Sequence, residues 1–211
     1  MSYTRVNMEN LITLTVNATH FYLIDTGRGW LLFDVGWLNL LPQFLNRLKT
    51  YRIGLPEIKH IMFSHTHPDH ADLVQTVRRL SEARLLIHAS QVPHLADLAA
   101  FYKGNKNFEP IVLGPNDLVS PDRAALHALG IHGEMVETPG HSDDSISLVL
   151  DSGPAFVGDL VPPHLATEEA YDLTCQSWQK LTRLGAETIY PAHANPFKMS
   201  EIRPYLVDEC K

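Results

Sequence analysis

The stretch from Ile58 to Leu80 constrains the fold most. Ile58-Lys59-His60-Ile61-Met62-Phe63 reads as a buried strand ending at Ser64, and Leu73, Val74, Val77 and Leu80 then recur at helical spacing. Between them lies His65-Thr66-His67-Pro68-Asp69-His70, with three imidazoles and a carboxylate in six residues. These donors therefore sit on a strand-to-helix turn. Neutral imidazole and carboxylate are the usual ligands of a catalytic divalent metal. In an extended segment His65 and His67 point the same way and can share one ion. Pro68 blocks a helix through His67, so Asp69 and His70 open the helix facing elsewhere and suit a second ion beside the first. A plain turn with Asp69 as N-cap would not need four metal-type donors packed this closely.

The pattern His-x-His-x-Asp-His after an apolar strand resembles the metallo-β-lactamase superfamily, the αββα metallo-hydrolases. Later motifs follow in that family's order: Thr138-Pro139-Gly140-His141, Phe156-Val157-Gly158-Asp159 and Tyr190-Pro191-Ala192-His193. The resemblance spans nearly the whole chain. It implies a single domain over residues 1–211, an α/β four-layer αββα sandwich of two mixed sheets face to face with helices outside. It implies the metal ligands His65, His67, Asp69, His70, His141, Asp159 and His193, with Asp159 bridging two divalent ions. Zinc is expected first, with iron or manganese as alternatives. Asp34 matches an acidic position behind the metals that orients a ligand histidine. Asp69 and Asp159 are then the catalytic carboxylates. Two divalent ions outweigh them and a bridging hydroxide, so the centre keeps positive charge for the negative charge that develops in a hydrolysis.

The implied reaction is cleavage of a small ester, thioester or lactone by a metal-bound hydroxide in a dinuclear enzyme. β-Lactam or phosphoester hydrolysis is the alternative, and a di-iron redox domain a more distant one. Departures from the family narrow this. Ala71-Asp72-Leu73 and Ala192-His193-Ala194 replace glycines common there, without removing a ligand. Pro162 occupies the place of a tyrosine found in lactonases of the family, which weakens a lactonase reading. The chain after His193 is short for the helical glutathione-binding region of glyoxalase II enzymes. Pro162 and Pro163 stiffen the segment after Asp159, which places His164 near the cleft as a candidate catalytic donor to the carbonyl oxygen or leaving group.

Composition sets the bounds. At 211 residues with 45% hydrophobic and 19% charged residues, the chain suits one soluble globular domain. A net charge of −7 without a basic run argues against nucleic acid as a partner. No apolar run reaches membrane-helix length, and Met1–Arg5 lacks a signal-peptide pattern. Cys175 and Cys210 are the only cysteines and lie near no motif, which fits a reducing cytoplasm. The expected partner is a small-molecule substrate, and a homodimer is compatible.

Strands are expected at Leu11–Val16, His20–Thr26, Trp30–Val35, Arg84–His88, Gly133–Glu137, Ser145–Leu150, Ala155–Val157 and Thr188–Pro191. Helices are expected near Asn39–Tyr51, Gln91–Phe101 and Thr167–Leu184, with a short one after Ser200. The polar loop between Phe101 and Phe108 is a candidate cleft edge whose aromatics cover substrate. His88 reads as structural, and His60, His94, His127 and His132 as surface or satisfied residues.

Overall fold

A computed structural model of the chain describes residues 11–207; the expectations about Met1–Arg5 and Cys210 lie outside the described residues. The first sheet holds β1 (Leu11–Val16), β2 (Thr19–Asp25), β3 (Trp30–Phe33), β4 (Ile58–Met62), β5 (Arg84–Ile87) and β6 (Leu118–Val119), in that spatial order. β1 to β3 pair antiparallel, whereas β3 to β6 pair parallel. The second sheet runs β11 (Phe197–Lys198), β10 (Thr188–Pro191), β9 (Pro154–Gly158), β8 (Ile146–Leu150), β7 (Gly133–Glu137). Helices α1 (Leu41–Thr50), α2 (Pro68–Ala71), α3 (Val74–Ser81), α4 (Leu95–Phe101), α5 (Arg123–Ala128), α6 (Tyr171–Arg183) and α7 (Pro204–Val207) complete the elements.

The period-two alternation of strands explains why two sheets stack. On β3, Leu31 and Phe33 face the space between the sheets, while Leu32 faces the helices outside. The inter-sheet core is aromatic: Phe156 lies 5.1 Å from Tyr22, 5.8 Å from Phe33 and 5.1 Å from Tyr190 by ring centroids. Truncating a fully buried ring such as Phe156 to alanine costs about 3–5 kcal/mol. The Tyr22 hydroxyl donates to the Pro191 carbonyl at 2.6 Å, joining the two sheets. Phe44 and Leu48, four residues apart on α1, pack the outer face of the first sheet with Val74 and Val77. Trp178 and Leu181 of α6 pack the second sheet. The layers are thus helix, sheet, sheet, helix. No helix among the described residues is long and apolar enough to cross a membrane.

Several elements differ from expectation. The short β6, α5 and β11 carry too little apolar periodicity to read from sequence and form where neighbours supply partners. The helix expected from Thr167 begins at Tyr171. The helix expected from Gln91 splits into a 3₁₀ turn, Ala89–Gln91, and α4. Gln91 is fully buried instead, donating to the Phe63 carbonyl at 2.8 Å and accepting from the His88 amide at 3.0 Å. It clamps the end of β4. Leu80 is largely exposed although it completes the helical pattern.

His60 is neither a surface residue nor a satisfied one. It is buried on β4, and its Nδ1 lacks a hydrogen-bond partner. Burial, with the charges of Arg84 and Lys59, pushes its pKa down to about 4.

Candidate metal centre

The sequence folds locally so that every candidate ligand lies in the turn after a strand or, for Asp69 and His70, in the short helix that follows. His65 follows the end of β4. His67 keeps an extended backbone (φ −69°, ψ 151°) because Pro68 starts α2 directly after it. Asp69 and His70 lie within α2 and so aim away from His67. His141 follows β7 through Thr138-Pro139-Gly140. Gly140 has φ 143°, and a β-carbon there would meet Thr174 Oγ1 of α6 at 2.5 Å. Asp159 follows Gly158, whose φ of 56° and tight packing on the Ser64 side chain leave no room for a β-carbon. The Ile146 amide donates to the Ser64 carbonyl at 2.8 Å, so the ligand-bearing ends of both sheets meet here. α6 pins the loops from behind: Ser177 Oγ donates to the Pro139 carbonyl and Trp178 Nε1 to the Val161 carbonyl, each at 2.7 Å.

The donors fall into two groups, His65, His67 and His141, then Asp69, His70, Asp159 and His193, with the atoms of each group within 4.8 Å of one another. In the first, His67 Nδ1 lies 2.9 Å from His65 Nε2 and 3.1 Å from His141 Nε2. In the second, His193 Nε2 lies 3.0 Å from Asp69 Oδ2 and 3.3 Å from Asp159 Oδ1. Asp159 faces both groups. Its Oδ1 is 3.4 Å from His70 Nε2, and its Oδ2 is 3.5 Å from His141 Nε2 and 4.0 Å from His65 Nε2.

The residues fit a pair of cations. His70 Nε2 and Asp159 Oδ1 are buried and have no hydrogen-bond partner, an expensive state for polar atoms unless an ion takes their lone pairs. The opposite nitrogens of three histidines are anchored so that these lone pairs are free. His70 Nδ1 donates to Asp34 Oδ2 at 3.0 Å, and His193 Nδ1 to the Ala18 carbonyl at 2.9 Å. Ser64 Oγ donates to Asp34 Oδ2 at 3.1 Å and stands 3.0 Å from His65 Nδ1, from which it can accept. Asp34 is fully buried, has φ 67° and also accepts from the Ser64 amide at 2.6 Å. Aspartate tolerates that left-handed backbone better than most residues.

Sequence reasoning missed Ser64 and Asp144. Asp144 Oδ2 accepts from the Thr66 amide and hydroxyl, both at 2.8 Å, and Oδ1 accepts from Ser142 Oγ at 2.8 Å. It therefore ties the loop carrying His65 and His67 to the loop carrying His141. Both residues lie beside the motifs, and that adjacency was the available signal.

Charge follows the same division. Burial, then the neighbouring His70, lowers the pKa of His65, and burial lowers that of His141. Burial also opposes a charge on His70, but the Asp34 carboxylate overrides it and the pKa rises. The close approach of the Asp159 and Asp69 carboxylates raises His193 to about 10. Burial opposes ionisation of Asp69 and Asp159, yet the His193 and His70 imidazoles beside them hold both well below the usual carboxylate range. Without an ion, this half of the centre holds protons where cations belong.

His164 lies outside both ligand groups. It sits in a 3₁₀ turn, Pro163–Leu165, exposed, with its ring against that of Tyr205 at 4.1 Å and a 30° tilt. Both line a groove that also contains Asp159 and His193. Of the expected loop aromatics, only Phe101 shares a groove with a candidate donor, His67. Tyr102 bonds the Asp72 carboxylate and stacks on buried Phe108 at 4.5 Å, so these two pack inward.

Comparison with known proteins agrees with this architecture. The chain is 26% identical over 196 residues to an atrochrysone carboxyl ACP thioesterase of Aspergillus terreus (strain NIH 2624 / FGSC A1156), covering 90% of this chain and 53% of that protein. It is 28% identical over 196 residues to the beta-lactamase-like protein 2 homolog of Caenorhabditis elegans, covering 90% of this chain and 60% of that one. The chain thus spans only a little over half the length of these relatives. Among solved structures, a metallo-β-lactamase family protein of Thermus thermophilus superposes with TM-score 0.71 at 19% identity, covering 93% of this chain and 77% of that chain. The family model of the metallo-β-lactamase superfamily matches residues 14–193, and the chain belongs to that superfamily.

Proposed function

We propose that the chain is a dinuclear zinc hydrolase acting on thioesters, with small esters and lactones as related substrates. The observation that carries the dinuclear reading is Asp159, whose two oxygens face two separate donor groups. The thioester is favoured by relatives that are themselves named thioesterases. His65, His67 and His141 would hold one ion, and Asp69, His70 and His193 the other, with Asp159 between them. When bound, the ions supply an acidified water at neutral pH and polarise the carbonyl oxygen.

The protein's own groups supply the rest. Asp34, Ser64 and the Ala18 carbonyl fix the tautomers of His70, His65 and His193. Asp144 holds the loops of the first group in register. Asp69 and Asp159 compensate cationic charge and leave the centre positive for the developing oxyanion. His164, on the groove wall, is a donor to the substrate carbonyl or leaving group.

The test is zinc reconstitution with elemental analysis, followed by turnover of thioesters, lactones, β-lactams and phosphodiesters. Two ions per chain with thioesters cleaved best is the expected result. One ion or none removes the dinuclear reading, and preferential phosphodiester cleavage removes the thioester. His164→Ala should lower kcat/KM at least about tenfold, roughly 1.4 kcal/mol of barrier, with both ions retained.

A further inference from the structure

We infer that the groove beside Asp159 and His193 binds the acyl half of the substrate, and that the acyl group it accepts is bulky, apolar and ring-bearing. The inference rests on the thioester reading above and adds which end of the substrate lies where.

Two grooves with different linings border the candidate metal centre. One, of about 600 Å³, reaches His141, Asp159 and His193 and is walled by Leu160, Val161, Leu165, Phe197, Ile202 and Tyr205. The other, of about 440 Å³, reaches His67 and is bounded by Thr66, His94, Asp97, Ser142 and Asp143 together with Phe101. A carbonyl carbon placed at the centre has one substituent toward each. In hydrolysis, water oxygen adds to that carbon, the C–S bond breaks, and a carboxylate, a thiol and a proton result. The two substituents are therefore the acyl chain and the thiol chain.

Solvation assigns them. An acyl chain without polar groups gains most where it leaves water for aliphatic and aromatic walls. A thiol chain bearing amides and hydroxyls keeps its hydrogen bonds only beside polar partners, which the second groove supplies as three carboxylates (Asp97, Asp143 and Asp144), a serine and a threonine. The ring preference comes from the wall's shape. The His164 and Tyr205 rings are in contact at a 30° tilt with centroids 4.1 Å apart, and Phe197 stands in the same groove. Aromatic groups pack on such faces in offset or edge-on contact. Leu165 is 65% exposed at this rim, a large apolar side chain left in water until something covers it.

The test uses zinc-reconstituted protein and N-acetylcysteamine thioesters carrying acetyl, octanoyl or 2-naphthoyl groups. A second series fixes the acyl group and varies the thiol. The expected kcat/KM for 2-naphthoyl exceeds that for acetyl by at least about tenfold, and the ratio falls several-fold in Leu165→Asp and in Tyr205→Ala, as loss of apolar pocket contacts requires. Binding of 2-naphthoate, followed by its fluorescence, should weaken in both variants in parallel. A flat acyl series overturns the inference, as does a Leu165→Asp effect that tracks the thiol instead of the acyl group. If no thioester is cleaved, the proposed function fails, and 2-naphthoate binding alone judges the groove: unchanged binding in the variants overturns it. If Tyr205→Ala does not fold, Leu165→Asp decides, because that side chain is already in solvent.

Discussion

The two halves of the metal centre are built on different electrostatic plans. The half formed by His65, His67 and His141 is all imidazole, apart from the oxygen that Asp159 turns toward it. Burial lowers the pKa of His65 and of His141 there, favouring the neutral imidazole. The half formed by Asp69, His70, Asp159 and His193 contains both carboxylates, with a third, Asp34, behind His70. Its imidazoles gain protons when no cation is present. One half is thus ready for a cation as folded, whereas the other exchanges protons for it. Asp159 turns one oxygen to each half, and the two halves also meet where the His65 and His70 rings lie 4.2 Å apart.

The sharpest way to break this comparison is to remove Asp159. Loss of an orienting partner alone costs about 10–100-fold in metal affinity, so Asp159→Ala, which strips an oxygen from both halves, should exceed that. We expect one ion lost and activity reduced by more than about 100-fold, with the circular dichroism spectrum unchanged. Full occupancy in this variant would show that the halves are independent.

Asp34→Asn isolates the carboxylate half. The amide keeps the left-handed backbone but no longer holds a negative charge behind His70. Affinity for the second ion should fall within the same roughly 10–100-fold range, with a smaller loss at the first ion, which Asp34 reaches only through Ser64 and His65. Equal weakening of both ions, read by competitive chelator titration, would count against a division of labour.

Acidity distinguishes the halves without touching a ligand oxygen. In metal-free protein the folded pKa of His193 is raised to about 10, above its ordinary 6.5. Its contribution to stability is therefore complete below pH 6.5 and is lost as pH rises toward 10. The lowered pKa values of His65 and His141 act with the opposite sign, removing stability as pH falls below 6.5. Thermal melts of metal-stripped wild type and His193→Gln should differ most below pH 6.5 and converge between pH 6.5 and 10, as the wild type loses its advantage toward the alkaline end. Parallel curves would mean the carboxylates do not hold that proton.

The smallest effect is expected from Ser64→Ala. It removes one hydroxyl between Asp34 and His65 and leaves all ligands in place. A hydrogen bond of this kind contributes about 0.5–1.5 kcal/mol net, so a change of less than about tenfold in affinity for the first ion is expected, measured by the same titration.

The candidate donors that the fold brings together were legible in the sequence because metal chemistry restricts donors to a few residue types and the strand-to-helix turn restricts their spacing. Asp34 was legible only through family likeness. A lone aspartate at a strand end has no spacing to betray its role, and its function appears when β3 and β4 pair in parallel and its carboxylate reaches Ser64 and His70. Asp144 was hidden for the same reason, since its partner Thr66 lies 78 residues away.

By itself the sequence determined the alternation that separates inner from outer strand faces, the prolines and glycines that end elements beside the ligands, and the identity of the donors. These are local properties, written within a few residues of one another. Only the tertiary structure decided that Asp159 presents one oxygen to each donor group and that the Ala18 carbonyl sets the His193 tautomer. It also decided that His164 rests on Tyr205 at the mouth of an apolar groove. Those contacts join residues up to 175 positions apart, and their geometry exists only once both sheets have packed around Tyr22, Phe33, Phe156 and Tyr190.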